Sequence, residues 1–259
     1  MESVNTTSSS NAGIFFNIIF FILGLVVIYY LYNYLFGPQI VSSYQLLSKT
    51  TSANPPEPIK ISSDNLPTLY EGGEFTFSTW VYINNWSYRS GLNKSILNIG
   101  GRNTDIIRVY LGGFKPTLMV RFHTKESGIG GTGEDLSHSN QSSTFSQLQT
   151  GSDMLGSRVC DLSEIELQRW VNITVAVNGK TVDVYVDGKL SRSCVLPSLF
   201  KVDAGGYSAN LLEYGGFGGL ISTTTMYNSA LGPDTVYKSY MAGPEPITSI
   251  GQWFYSFFV

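Results

Sequence analysis

The chain has 259 residues, 42% of them hydrophobic and only 14% charged, with a formal net charge of -3. No basic stripe is available to displace counterions from a phosphate backbone, so no nucleic-acid partner is expected. Two cysteines and two histidines are too few for a disulfide framework or a Cys/His metal centre, and no cofactor is expected.

Composition changes sharply along the chain. Residues 1–12 are a polar segment, and from Met1 to Ser48 Glu2 alone carries charge. Residues 13–36 form a near-continuous apolar run that stops at Gly37-Pro38. As a helix, Ile14 to Phe36 covers roughly 35 Å, enough for a hydrocarbon core. Tyr29, Tyr30, Tyr32 and Tyr34 crowd its C-terminal end, where amphipathic rings favour the headgroup level. A cleaved signal peptide needs a basic n-region, a shorter apolar core and a small-residue cleavage site, and the segment has none of these. A single-pass transmembrane helix is expected, with the lipid bilayer as partner. No Lys or Arg precedes this span, whereas Lys49 and Lys60 follow it. The positive-inside rule then puts the large C-terminal part on the cytoplasmic side. Sequons occur at Asn5, Asn85, Asn93, Asn140 and Asn172, and on that side the last four stay unmodified.

Residues 37–58 are rich in Ser and Thr and end in Asn54-Pro55-Pro56-Glu57-Pro58. Such chain buries little and reads as an extended stalk. A β-domain is expected over residues 59–244. Phe75 to Ile83 is aromatic and β-branched enough for a core strand, and Leu118 to Phe122 alternates as a half-buried strand does. Asn178-Gly179 and Asp187-Gly188 separate three further β-rich runs, Trp170–Val177, Thr181–Val186 and Leu190–Val195. Both pairs suit type I′ hairpin turns and specify a three-stranded antiparallel meander. Leu231 to Tyr240 is the good soluble helix candidate, with Pro233 near its first turn. Between His123 and Gly156 lies a long Gly/Ser/Gln-rich loop whose glycines lack the Gly-Lys-Ser/Thr ending of a phosphate cradle. Many short strands with turns at this spacing imply an all-β antiparallel sandwich of jelly-roll type.

The run Trp170 to Leu190, which includes Tyr185-Val-Asp-Gly-Lys189, resembles the laminin-G-like, concanavalin A-like jelly roll. Glu74–Trp80 and Ile96–Gly101 look like early strands of that fold. Gly215–Ser222, followed by Met226–Leu231, looks like its closing strand and short helix. The anchored arrangement, with Ser191-Arg-Ser-Cys-Val-Leu196 after the hairpin, is most similar to versions encoded by nucleocytoplasmic large DNA viruses. That resemblance implies a minor capsid or virion membrane protein joining inner membrane and capsid, with capsid proteins as partners. A membrane-tethered lectin that binds glycan is the alternative.

No catalytic role is expected. A retaining glucanase on this fold needs two carboxylates about 5–5.5 Å apart, and the resemblance places its acids at alternating positions on one strand face. Asp161, Glu164 and Glu166 have the wrong spacing, while Asp183 and Asp187 suit hairpin roles. No metal site is expected either. Asn103 and Asp105 would offer oxygen ligands for calcium, but a plain loop explains them. Trp86 and Tyr88 suit sugar stacking and core packing equally. His123 and His138 have no nucleophile or base at a recognisable spacing. For Cys160 and Cys194 a disulfide and two buried thiols both stay open. The aromatic tail, residues 245–259, is too short to span a bilayer. The resemblance implies that it emerges near the stalk, which puts Trp253, Phe254 and Tyr255 at the membrane interface.

Overall fold

The computed structural model describes residues 10–36, 42–126, 136–149, 160–162, 164–203 and 205–245. The chain divides into two compact units, residues 1–40 and residues 41–259.

The first unit is helix α1, Ser10–Phe36, 27 residues and so about 40 Å long. It is long and apolar enough to cross a membrane. Phe15, Phe16, Phe20, Phe21, Ile28 and Tyr30 are all more than half exposed on it. A helix that is apolar all round needs lipid or protein cover on every side.

Among the described residues the second unit has twelve strands: β1 (Ser43–Leu47), β2 (Thr51–Ser52), β3 (Ile59–Ile61), β4 (Glu74–Asn85), β5 (Lys94–Gly100), β6 (Asp105–Leu111), β7 (Leu118–Phe122), β8 (Trp170–Asn178), β9 (Thr181–Val186), β10 (Lys189–Val195), β11 (Ser208–Leu211) and β12 (Gly218–Tyr227). It also holds helices α2 (Gln141–Ser146) and α3 (Pro233–Met241). The larger sheet runs β1-β12-β4-β8-β9-β10, with β2 also on β12, and the smaller runs β3-β11-β5-β6-β7. All pairings are antiparallel. The two sheets stack as a sandwich over one apolar core, because alternate residues of each strand point inward. On β4 these are Phe75, Phe77, Val81 and Ile83, facing the same core as Leu97, Ile107, Val109 and Val120 of the smaller sheet.

The expected meander forms, with one turn shifted. Asn178 pairs with Thr181, so Gly179 and Lys180 are the central residues and Gly179 alone takes positive φ, +61°. That is the glycine-first arrangement of a type II′ turn rather than the expected I′. The second turn keeps the expected centre, Asp187 and Gly188 at φ +50° and +73°.

Two boundaries differ from expectation. Residues 42–58 are not a free stalk. Ser43 pairs with Tyr227 and Thr51 with Ile221, and Ala53 is fully buried. The short β1 and β2 gain order from β12, a partner more than 160 residues away, so nothing local announces them. The closing strand runs on to Tyr227, and its helix starts only at Pro233, because Met226 is buried in the core as a strand residue. Residues 246–259, with Trp253, Phe254 and Tyr255, lie outside the described residues, as do 127–135 of the long loop.

Candidate binding cleft

The outer face of the larger sheet carries the site. On β4 the residues that alternate away from the core are Thr76, Ser78, Trp80 and Tyr82, and on β8 they are Trp170, Asn172, Thr174 and Ala176. Helix α3 lies over part of this face. Its Val236, with Leu231, packs on Ala176 and Tyr185, and Tyr240 stacks on Trp80 with ring centroids 5.5 Å apart. The chain then turns at Gly243, whose φ of +81° favours glycine. The Pro244 carbonyl accepts hydrogen bonds from Ser222 Oγ (2.7 Å) and Thr223 Oγ1 (2.6 Å).

Helix, return chain and sheet enclose an open cleft of about 290 Å³. Its walls come from Ser43, Gln45, Thr225 and Tyr227 on one side and Ser239, Ala242 and Gly243 on the other, with Ser78 and Trp80 between. Among the described residues, no charged side chain lines it. The floor is fixed from below: Ser78 and Thr174 hydroxyls meet at 2.9 Å, and Thr174 Oγ1 donates to Asn172 Oδ1 at 3.0 Å. Asn172 Nδ2 donates in turn to the Thr79 carbonyl at 3.3 Å. Among the described residues, the side chains of Gln45, Thr225 and Ser239 have no protein hydrogen-bond partner. The cleft therefore offers hydroxyl and amide groups beside an aromatic ring.

The residues singled out in the sequence lie elsewhere. Asp161 is buried in an ion pair with Arg121, Glu166 pairs with Arg169, and Asp187 bonds Arg169 Nη2 at 2.5 Å. Asp187 Oδ1 also accepts the Asn172 N–H. Asp105, expected in a loop, begins β6 and is buried against Arg108 at 2.5 Å, with His138 Nε2 at 3.2 Å and Gln141 Nε2 at 2.7 Å. Its carboxylate is thereby committed to protein partners. Among the described residues no group of three His, Cys, Asp or Glu is placed to hold a metal ion. His123 Nδ1 accepts the Leu136 N–H at 3.3 Å. Trp86 is committed too: its ring faces the Lys94 ammonium at 4.1 Å, and its Nε1 donates to the Phe114 carbonyl. Cys160 and Cys194 are joined as a disulfide with Cα atoms 5.6 Å apart. Tyr29 and Tyr30 meet edge to face on α1 at 5.9 Å.

Sequence reasoning missed the cleft, since its walls come from β1, β4, β12 and α3. It also missed three buried cations. Lys94 donates to the carbonyls of Arg89, Leu92 and Gly113, each at 3.3 Å, and burial pushes its ammonium down to about 8. Arg108 and Arg121 sit opposite one another in the β6–β7 register. The signal available for Arg108 and Arg121 was a lone cation inside a β-rich run, whereas Lys94 stands at a strand end and gave none.

This sandwich defines the class of protein. The chain belongs to the concanavalin A-like lectin/glucanases superfamily, whose Laminin_G_3 family model matches residues 58–237. Comparison with curated protein sequences gives no match. Among solved structures, the receptor-binding domain of botulinum neurotoxin D is similar at 12% identity and a TM-score of 0.50, over 78% of this chain and 48% of that one. A serotype D ligand-binding domain in complex with N-acetylneuraminic acid matches at 13% identity and a TM-score of 0.48, over 77% and 42% of the two chains. Domain 4 of an extracellular GH43 arabinanase from Geobacillus stearothermophilus, in complex with arabinotriose, matches at 17% and 0.44, over 78% and 88%. The chain spans a little under half the length of the toxin chains it matches. These likenesses are of fold.

Proposed function

We propose that this chain is a non-enzymatic, membrane-tethered binding protein whose jelly roll takes a neutral saccharide in the cleft beside α3. One observation carries the reading: a cleft of about 290 Å³ in which, among the described residues, no charged side chain stands and Gln45, Thr225 and Ser239 have no protein hydrogen-bond partner. Its size is at the low end of small-ligand pockets, which suits one or two sugar rings. Removing a single hydroxyl that bonds a ligand costs about 1–1.5 kcal/mol, or roughly tenfold in affinity. Calorimetric titration of the detergent-solubilised full chain with neutral and sialylated oligosaccharides tests it. A neutral sugar binds, and Thr225→Val and Ser239→Ala each weaken it about tenfold. Absence of saturable binding to any neutral sugar removes the reading. Helix α1, apolar on all its described faces, supports the bilayer as the second partner.

A second reading is attachment to a protein layer, such as a capsid beside an inner virion membrane. Exposed Tyr237 and Met241, one turn apart on α3, favour a protein contact there. Its viral context rests on the sequence resemblance alone.

A further inference from the structure

Both sheets of the sandwich end on the same side in an edge strand, β10 in the larger and β7 in the smaller. Three consecutive residues, Cys160-Asp161-Leu162, bridge these two edges. Leu162 exchanges both backbone hydrogen bonds with Leu118 at the start of β7, at 3.1 and 3.0 Å. Asp161 takes both terminal nitrogens of Arg121 on β7, Nη2 at 2.9 Å. Cys160 is bonded to Cys194 on β10, and both cysteines are buried. Leu162 and the following Ile165 belong to the main core, and the Ile165 N–H donates to the Pro116 carbonyl at 2.7 Å.

We propose that Cys160–Leu162 is a clip closed by oxidation, and that the domain matures on the oxidising face of its membrane. Two independent locks, the ladder to Leu118 and the Asp161–Arg121 pair, hold Cys160 in place without help from the sulfur. They bring the cysteine Cα atoms to 5.6 Å, inside the range that a disulfide spans without backbone movement. Closure removes two hydrogens: the Cys160 thiolate attacks a sulfur of a disulfide carrier and expels one carrier thiol. The Cys194 thiolate then attacks Cys160 Sγ of the mixed disulfide and expels the second, so the carrier leaves as a dithiol carrying both electrons. Structural disulfides of this kind are rare in compartments poised by reduced glutathione.

Neither lysine that follows α1 marks a short cytoplasmic loop. Lys60 lies within β3 and Lys49 between β1 and β2, so both belong to a folded unit rather than a short flanking loop. Long loops and whole domains translocate largely regardless of such charges.

The full chain, synthesised into sealed microsomes, tests this. Denaturing alkylation without reductant, followed by peptide mass spectrometry, is expected to give a linked Cys160–Cys194 peptide and no alkylated cysteine. With reductant both cysteines take the label. Protease added outside the sealed vesicles is expected to leave residues 42–245 intact until detergent is added. Alkylation of both cysteines before reduction overturns the clip, and digestion of the domain in sealed vesicles overturns its sidedness.

Discussion

Lys94 is fully buried on β5, and its ammonium is held by three carbonyls and the face of Trp86. Desolvation, and then the charge of Arg89, lowers it from 10.5 to about 8. Because the folded value lies below the unfolded one, the unfolded chain binds more proton between pH 8 and 10.5. The stability attributable to this group therefore rises with pH across that window, and the cost of the buried charge is complete below pH 8. Denaturant unfolding at pH 8 and pH 10 should show the parent chain gaining about 2 kcal/mol on a Lys94→Met variant over that interval. Equal pH slopes for the two proteins would mean that Lys94 is not desolvated as described. Lys94 was not legible in the sequence. A lysine in Gly91-Leu-Asn-Lys-Ser-Ile96 reads as a solvated strand end, and the three carbonyls gather only when residues 89–92 and 113 fold around it.

At the scale of elements, the sequence announces most plainly the strands whose partners are local. The β8–β9–β10 meander pairs with itself through short turns, so its pattern and its partners are both local. β1 and β2 carry no such signal and exist because β12 and the adjoining core accept them. The clip behaves likewise: Asp161-Leu162 reads as a polar turn, yet it closes the sandwich. Replacing both Cys160 and Cys194 by Ala should cost about 3–4 kcal/mol, the loop-closure value for a 34-residue separation. Asp161→Ala, which removes the carboxylate that buried Arg121 faces, should cost about 3–5 kcal/mol. The triple variant should lose clearly less than the sum, because the disulfide and the ion pair anchor adjacent residues of one three-residue segment. Strict additivity in unfolding measurements would show that the disulfide and the ion pair act on separate parts of the fold.

For the whole molecule, the fold sorts the sequons. Asn172 is 1% exposed and donates to Thr79, and Asn93 is 4% exposed and donates to the Thr144 carbonyl at 3.0 Å. Neither amide can carry a sugar without unfolding its surroundings. Asn85 is exposed at the end of β4. With the domain on the oxidising face, glycosidase mapping of the chain from cells that N-glycosylate should find modification at Asn85 and none at Asn93 or Asn172. A glycan on Asn93 or Asn172 would contradict their burial, and a bare Asn85 on a domain shown to be lumenal would contradict its exposure. The sequence by itself determined the apolar helix, the β class, the meander and the superfamily, because each is written in local periodicity, turn residues or an unbroken apolar run. Tertiary structure alone decided the cleft, the ordering of residues 42–58 and the union of Cys160 with Cys194. Each of these depends on side chains brought together from strands far apart in the chain, and a contact made only by packing leaves no pattern in either partner.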